Sequence, residues 1–148
     1  MTENDGDAKI LERVKELEVR GVRAAESGDL NQAVLLFDEA IDLLPGRASG
    51  YNNRAQALRL KGENERAMRD LDAAIRLGGG KSCGRVNALC QRALLHRLNN
   101  DEDKSLADLE AAAAAGHDFA RRALVHLNPY SALCNQMLQQ MLHKLNEF

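Results

Sequence analysis

Histidine and cysteine are the residues of this chain with the widest chemical range, since they serve as general bases, nucleophiles and metal ligands. The four histidines and three cysteines are scattered along the chain: His96, His117, His126, His143, Cys83, Cys90 and Cys134. They lack the spacing of a metal site, and the chain has no HExxH, nucleophile-elbow or paired-carboxylate motif. We therefore predict a protein that is not an enzyme and that uses no metal or cofactor.

A run of three glycines, Gly78-Gly79-Gly80, stands before Lys81 and has the composition of a phosphate-binding loop. Such a loop follows a strand and has another glycine further upstream. The sequence predicts no strand here and lacks the upstream glycine. We interpret the run as a flexible joint between two helices.

The charge balance gives no reason to expect nucleic acid or an anionic membrane as a partner. The chain has 20 basic and 22 acidic side chains and a formal net charge of -2. No apolar stretch approaches the length of a membrane span, and the acidic N-terminal segment lacks the apolar region of a signal peptide. Together with cysteines of the kind that stay reduced, these features predict a cytoplasmic protein.

An internal repeat of 34 residues is the clearest feature of the sequence. Five residues return at that spacing with their size conserved: Gly28, Ala33, Phe37, Ala40 and Leu43 recur as Gly62, Ala67, Leu71, Ala74 and Leu77. A degenerate third copy follows at an offset of 38 residues, with Asn100 in place of the turn glycine. Asparagine enters the left-handed region more readily than most residues. A repeat of this length predicts stacked helix pairs.

The predicted fold is an all-α solenoid of three helix-turn-helix repeats with C-terminal capping helices. The expected segments are a disordered N-terminal stretch, three repeats and the cap: 1–7, 8–47, 48–81, 82–117 and 118–148. Asp29, followed three residues later by Gln32, predicts the start of the second helix, because this pair resembles a capping box.

The last helix is predicted to be strongly amphipathic, from Tyr130 to about Asn146. Its apolar residues follow the three-four spacing of a helix face: Leu133, Cys134, Met137, Leu138, Met141, Leu142 and Leu145. We interpret this face as a cap over the third repeat, which predicts a monomer. The alternative is a dimer or partner surface, for which flexible methionines are well suited.

The repeat resembles the tetratricopeptide repeat family. The residues that carry the resemblance are Leu17, Gly21, Ala24, Gly28, Ala33, Phe37, Ala40, Pro45, Tyr51, Ala55, Leu58, Gly62, Ala67, Leu71 and Ala74. It covers about Val14 to Ala115 and implies a superhelix whose concave face is lined by the first helix of each repeat. The strings YNNRAQA, CQRALLHRL and LNPYSALCNQML extend the resemblance, over the whole chain, to one group within the family.

The resemblance places ten candidate partner-binding residues in a concave groove. They are Lys15, Val22, Asn52, Asn53, Gln56, Arg59, Asn87, Gln91, Leu94 and Arg97. Their amides both donate and accept hydrogen bonds, so they can pair with the backbone of an extended peptide. The alternative is that these residues are ordinary solvated side chains.

Many members of this family bind the acidic C-terminal tails of Hsp70 and Hsp90 through two lysines, one arginine and two asparagines. Asn53 matches one of the asparagines. The other four positions carry no positive charge: Glu18, Val22, Asn87 and Gln91. Without those cations, a carboxylate would be poorly paired beside Glu18, so capture through the standard residues is not expected. Arg59 and Arg97 are the remaining candidates for holding an acidic group.

The function implied by the resemblance is a non-catalytic scaffold or adaptor that binds a peptide or helix of a partner protein. A co-chaperone with an Hsp70-type partner, or another protein-stabilising role, is the leading form of it. Two alternatives are assembly of a larger complex, such as ciliary machinery, and oligomerisation through the C-terminal helix.

Overall fold

The computed structural model describes residues 3–79, 82–127 and 129–146, and of Glu3 and residues 129–135 it describes only the backbone. These residues form eight α-helices and no strands: α1 Glu3–Glu26, α2 Leu30–Leu43, α3 Ala48–Leu60, α4 Asn64–Leu77, α5 Cys83–Leu98, α6 Glu102–Ala114, α7 Asp118–Leu127 and α8 Pro129–Asn146. None of the helices in these ranges is both long enough and apolar enough to cross a lipid bilayer.

Consecutive helices pack as pairs, α1 with α2, α3 with α4 and α5 with α6. The first helices of the pairs also contact one another, because α3 touches both α1 and α5. They therefore lie side by side and form one face of a solenoid. The all-α fold predicted from the repeat is confirmed.

The turn inside each pair has a residue in the left-handed region. Gly28, Gly62 and Asn100 have φ values of 88°, 84° and 61°. At each turn the following backbone N–H donates to a carbonyl five residues earlier, as Asp29 does to Ala24 at 2.9 Å. Asn100 thus occupies the position predicted for it. Gly116, at 95°, makes the same kind of turn between α6 and α7.

In the core of the first repeat a small residue of one helix faces a large residue of the other. The Phe37 side chain is fully buried between α1 and α2. Its ring lies so close to Gly21 that a Cβ atom there would overlap it. Leu71 and Leu109 occupy the matching positions of the next two repeats and are also buried. The large residues that recur along the sequence therefore lie at the buried positions of the helix pairs.

Two arginines join neighbouring repeats through paired carboxylates. Arg54 on α3 donates from Nε and Nη2 to Asp70 on α4, at 2.8 and 2.7 Å, and from Nη1 to Asp38 on α2, at 2.8 Å. The bonds to Asp70 are the main cause of a raised pKa for Arg54. Each guanidinium therefore ties a repeat internally and to the repeat before it.

Arg92, 38 residues after Arg54, makes the corresponding bridge one repeat later. It donates to both carboxylate oxygens of Asp108 at 2.8 and 2.7 Å and to Asp72 at 3.0 Å. Bidentate arginine–carboxylate pairs of this kind fix geometry as well as adding energy. Each bridge joins three helices and so holds two successive repeats together.

The helix boundaries differ from the prediction at the N-terminus. Helix α1 starts at Glu3, inside the stretch 1–7 that was predicted to be disordered. Acidic residues such as Asp5 and Asp7 favour the start of a helix, because they interact with the positive end of its dipole. Helix α5 is three residues longer than α3, 16 against 13, which absorbs most of the insertion in the third repeat. Gly80, the last residue of the predicted joint, and Lys81 after it lie outside the described residues.

A second difference from the prediction concerns the cap. Helix α7 packs against α6, and Ala120 is buried there. Helix α8, in contrast, contacts mainly α7, and its five described apolar side chains are more than half exposed: Met137, Leu138, Met141, Leu142 and Leu145. The side chains of Leu133 and Cys134 lie outside the described part. The end of the third repeat is covered by α7, while the described apolar face of α8 is open.

Candidate partner-binding groove

The open face of α1, α3 and α5 contains two adjoining cavities at its N-terminal end. The larger, of about 530 Å³, is lined by α1 and by residues near the start of α3: Lys15, Glu18, Val19, Val22, Arg23, Glu26, Arg47 and Asn53. The smaller, of about 150 Å³, lies deeper, with Phe37 in its wall. Val22, Glu26 and Asn53 line both cavities, so the two form a continuous depression.

Glu18 is not a free carboxylate in this depression. Arg47 donates to its two oxygens from Nε and Nη2, at 3.0 and 3.3 Å, and the Ser49 hydroxyl donates to Oε1 at 2.9 Å. Glu18 itself is buried. The expectation that a carboxylate would be poorly paired beside Glu18 treated Glu18 as a free carboxylate, whereas in the structure it is paired with Arg47. Arg47 lies beyond the repeat positions that sequence reasoning considered.

Two of the predicted groove amides bind each other. The Gln91 amide nitrogen donates to the side-chain oxygen of Asn52 at 2.7 Å and to its backbone oxygen at 3.3 Å. Asn52 is buried, and the remaining oxygen of Gln91 is buried without a hydrogen-bond partner. This pair links α3 to α5, so these amides are already committed to the contact between repeats.

Asn53 and Gln56 face open space, in contrast to Asn52 and Gln91. Asn53 is half-buried and Gln56 is exposed, and neither side chain has a hydrogen bond within the described part of the chain. Apolar side chains surround them, since Val22 and Leu60 line the same cavity and are more than a third exposed. The combination provides free amide groups beside an apolar surface.

The C-terminal end of the groove is built differently. A cavity of about 230 Å³ lies between α5, α6 and α7, with Leu94, Arg97, Phe119 and His126 among its lining residues. Arg97 also lines a neighbouring cavity together with acidic residues of the α5–α6 turn, Asp101 among them. The Arg59 Nε group is buried without a partner, although Arg59 as a whole is half-buried.

The other predicted groove residues, Lys15, Leu94 and Asn87, differ from one another in their surroundings. Lys15 is exposed at the edge of the larger cavity, and Leu94 is half-exposed at the C-terminal one. Asn87 donates its side-chain amide to the Cys83 sulfur at 3.4 Å and lines neither of these cavities. Phe119 was missed by sequence reasoning; the signal was available, because it is the only aromatic residue of α7.

Among the described side chains, Cys90 and His117 are in contact but have no features of a reactive pair. The Cys90 sulfur lies 3.6 Å from His117 Nδ1, and the same nitrogen accepts a hydrogen bond from the Ala120 N–H at 3.3 Å. Burial raises the pKa of the Cys90 thiol, so the sulfur stays protonated. His117 caps α7. Among the described residues no group of histidines, cysteines and carboxylates could hold a metal ion.

The chain is similar over most of its length to proteins named tetratricopeptide repeat protein 36. It is 52% identical over 135 residues to the Homo sapiens protein, covering 91% of this chain and 71% of that protein. The Danio rerio protein is 50% identical over 139 residues, 94% of this chain and 74% of that one. The chain belongs to the tetratricopeptide repeat protein 36 family. The whole-chain resemblance seen in the sequence strings is thereby confirmed.

A more distant relative from Drosophila melanogaster, a homolog of the same protein, is 40% identical over 146 residues, 98% of this chain and 78% of that protein. No protein-family model matches the chain.

Solved structures share the fold at low sequence identity. The TPR domain of Arabidopsis OM64 has a TM-score of 0.65 at 21% identity, covering 89% of this chain and 98% of that one. The TPR2B domain of yeast Sti1, in its pHsp70 complex, has a TM-score of 0.64 at 22% identity, covering 90% and 98%. The first TPR of Spaghetti (RPAP3), bound to the HSP90 peptide SRMEEVD, has a TM-score of 0.65 at 16% identity, covering 89% and 94%.

Proposed function

We propose that this protein is a non-catalytic adaptor that holds a segment of a partner protein against its concave face. The observation that carries the proposal is the depression at α1 and α3, where the free amides of Asn53 and Gln56 stand beside half-exposed Val22 and Leu60. Free amides can pair with a peptide backbone, and the apolar side chains can cover side chains of the partner.

The partner we favour is an Hsp70-type chaperone, which makes the protein a cytoplasmic co-chaperone or protein-stabilising factor. Two TPR domains of similar fold occur in chaperone complexes, one with pHsp70 and one with an HSP90 peptide. The sequence gave two reasons against an acidic partner, the missing cations at the standard positions and the carboxylate of Glu18. Arg47 removes the second reason, because it pairs with Glu18. Use of the same groove to assemble a larger complex, such as ciliary machinery, is the alternative.

Calorimetric titration of the full chain with purified full-length Hsp70 and Hsp90 tests this proposal. We expect micromolar binding of Hsp70, roughly -8 kcal/mol, and a loss of at least about tenfold in the double variant Asn53→Asp with Gln56→Asp. The matched control is Asn31→Asp with Gln32→Asp, two exposed residues of α2 outside the groove.

The outcomes separate the parts of the proposal. Equal weakening in both double variants would remove the groove from the proposal. If neither chaperone binds, the co-chaperone role is excluded. The adaptor role would then need another partner.

A second candidate function is self-association through α8. It is favoured by the exposure of the α8 apolar face, defined by Met137, Leu138, Met141, Leu142 and Leu145. Light scattering of the full chain measures this directly. A dimer that becomes a monomer when Met137, Met141 and Leu145 are changed to glutamine would establish it, and a monomeric wild-type chain would exclude it.

A further inference from the structure

The described side chains of helix α8 are exposed on every side of the helix. Each residue from Gln136 to Asn146 is exposed, including the α8 apolar face, whose five residues are 54% to 69% exposed. Helix α8 contacts mainly α7. This part of α8 is therefore not packed into the repeats, and its apolar face is open to another molecule.

An open apolar cavity lies at the same end of the protein. It is the cavity of about 230 Å³ between α5, α6 and α7, which we call the C-terminal cavity. Leu94 and Phe119 in its lining are 40% and 46% exposed. Leu127, the last residue of α7, also lines it, and α8 begins two residues later at Pro129. An apolar helix face and an apolar cavity are therefore both exposed at this end of the solenoid.

The C-terminal cavity has an acidic edge. A smaller cavity connects it to the α5–α6 turn, because the lining of the smaller cavity shares residues with both. Glu102 and Asp103 are exposed at this turn, and neither side chain has a hydrogen bond or ion pair within the described part of the chain. Asp101 is already paired with Lys104, at 3.4 Å. An approaching cation therefore meets two carboxylates against one arginine, Arg97.

Helix α8 carries the opposite charge. Between Pro129 and Asn146 the sequence has one lysine, Lys144, and no acidic residue. Lys144 comes seven residues after Met137, which is about two helical turns, so it lies beside the α8 apolar face. Gln139 lies on the opposite side of the helix. The apolar side of α8 thus matches the C-terminal cavity and its acidic edge in both apolar character and charge.

We propose that the α8 apolar face of one copy of this chain binds the C-terminal cavity of a second copy, with Lys144 beside Glu102 and Asp103. The proposal rests on the self-association suggested above as the second candidate function, and it identifies the surface that receives α8. The C-terminal cavity shares no lining residue with the depression at α1 and α3. The dimer contact therefore leaves the lining of that depression unused.

A second copy is the occupant that the structure favours, because each chain offers both surfaces at one end. The exposed part of α8 does not cover the cavity of its own chain. Two copies related by a twofold axis can each place α8 on the cavity of the other. The same contact then forms twice, which doubles the apolar surface removed from water.

Sedimentation velocity of the full chain, from about 1 to about 500 μM, tests the contact. We expect a dimer with a dissociation constant on the order of 10 μM. Leu94→Gln with Phe119→Gln should weaken it by at least about tenfold, because two apolar contacts are lost in each cavity. The control is Leu35→Gln with Leu43→Gln, two exposed leucines of α2, which should change the dissociation constant less than about twofold.

A charge exchange tests the acidic edge. Lys144→Glu and Glu102→Lys should each weaken the dimer by about fivefold, because each places like charges together. The two changes combined in one chain should restore the dissociation constant to within about twofold of the wild-type value. Lys9→Glu, at an exposed position of α1, is the control and should have little effect. Circular dichroism would verify that each variant is folded.

Mixing two defective chains tests which surface receives α8. One chain carries Leu94→Gln with Phe119→Gln, and the other carries glutamine in place of Met137, Met141 and Leu145. We expect neither chain to dimerise alone at about 100 μM, and a mixed dimer to form, because the intact α8 of the first fits the intact cavity of the second. A dimer held by two α8 helices would not form from this mixture, since the second chain has no intact apolar face.

The outcomes separate this proposal from the self-association on which it rests. A dimer that survives the changes at Leu94 and Phe119 but is lost in the α8 variant would overturn the C-terminal cavity as the receiving surface and leave self-association in place. A mixture that stays monomeric, or a Lys144→Glu chain that Glu102→Lys does not rescue, would also overturn it. A wild-type chain that is monomeric at about 500 μM would exclude both.

Discussion

The helices of the three repeats and helix α8 have the same kind of amphipathic sequence but very different surroundings. Leu71, on α4, is 0% exposed, whereas Leu142, on α8, is 60% exposed. In the first repeat the large Phe37 side chain faces the small Gly21 on the neighbouring helix. No such partner is found for the described apolar residues of α8. An apolar stripe therefore predicts a helix, but only a complementary neighbour predicts its burial.

The largest expected effect on stability comes from changing a leucine to alanine in a repeat, and the same change in α8 provides the comparison. Leu71→Ala should lower the free energy of unfolding by about 4 kcal/mol, because it leaves a cavity in a packed core. Leu142→Ala removes the same atoms from an exposed face and should change stability by less than about 0.5 kcal/mol. Urea denaturation measures both. Similar losses in the two variants would mean that α8 is packed after all.

The bridges between repeats provide the next contrast. Arg54→Met should destabilise the chain by about 3 kcal/mol, because Asp70 would remain buried without its partner. Arg13→Met breaks the exposed contacts of Arg13 with Glu16 and Glu39 and should cost less than about 1 kcal/mol. Urea denaturation of both variants measures the two losses in the free energy of unfolding, and their ratio is the test. If they were equal, the bridge would contribute no more than a surface ion pair.

The close approach of α1 to α2 predicts a somewhat smaller effect. Gly21→Ala should destabilise by about 2 kcal/mol, since the new methyl group overlaps the buried Phe37 ring and the two helices must adjust. Gly46→Ala is the control, because nothing lies within 4 Å of the position of its Cβ. Thermal unfolding of both variants should separate them clearly. A stable Gly21→Ala protein would show that the pair of helices tolerates a wider spacing.

The turn of the third repeat predicts the smallest effect. Asn100→Ala should cost about 1 kcal/mol, because alanine is strained at a φ of 61°. The neighbouring Asn99 has a φ of -85°, so Asn99→Ala should be nearly neutral. Asn100→Gly should restore or exceed the wild-type stability. An Asn100→Ala chain as stable as the Asn99→Ala chain would contradict the proposed role of this turn.

The sequence predicted features that depend on neighbours in the chain or on the repeat itself. Asp29 was expected to cap the second helix, and its side chain accepts a hydrogen bond from the Gln32 N–H at 3.1 Å. Asn100 was expected at the left-handed turn and lies there. The cap depends only on a few consecutive residues. The turn depends on the repeat, because the repeat spacing aligns Asn100 with the turn glycines.

Features that depend on distant residues were not predictable. Gln91 and Asn52 are 39 residues apart, and their hydrogen bond depends on how closely α3 approaches α5. Arg47 reaches Glu18 across 29 residues from a position before α3 that has no part in the repeat pattern. A groove inferred from residue types alone therefore counted Asn52 and Gln91 as free amides and Glu18 as a free carboxylate.

Photo-crosslinking tests most directly whether the groove at α1 and α3 is where this protein holds its partner. Benzoylphenylalanine would replace Gln56 in the groove, Gln32 on α2 or Gln139 on α8, all three exposed positions. After irradiation in cell lysate, mass spectrometry would identify the attached proteins. We predict one dominant partner attached through position 56 and none through positions 32 and 139. The same partner attached through position 139 alone, or equally through all three, would contradict the account.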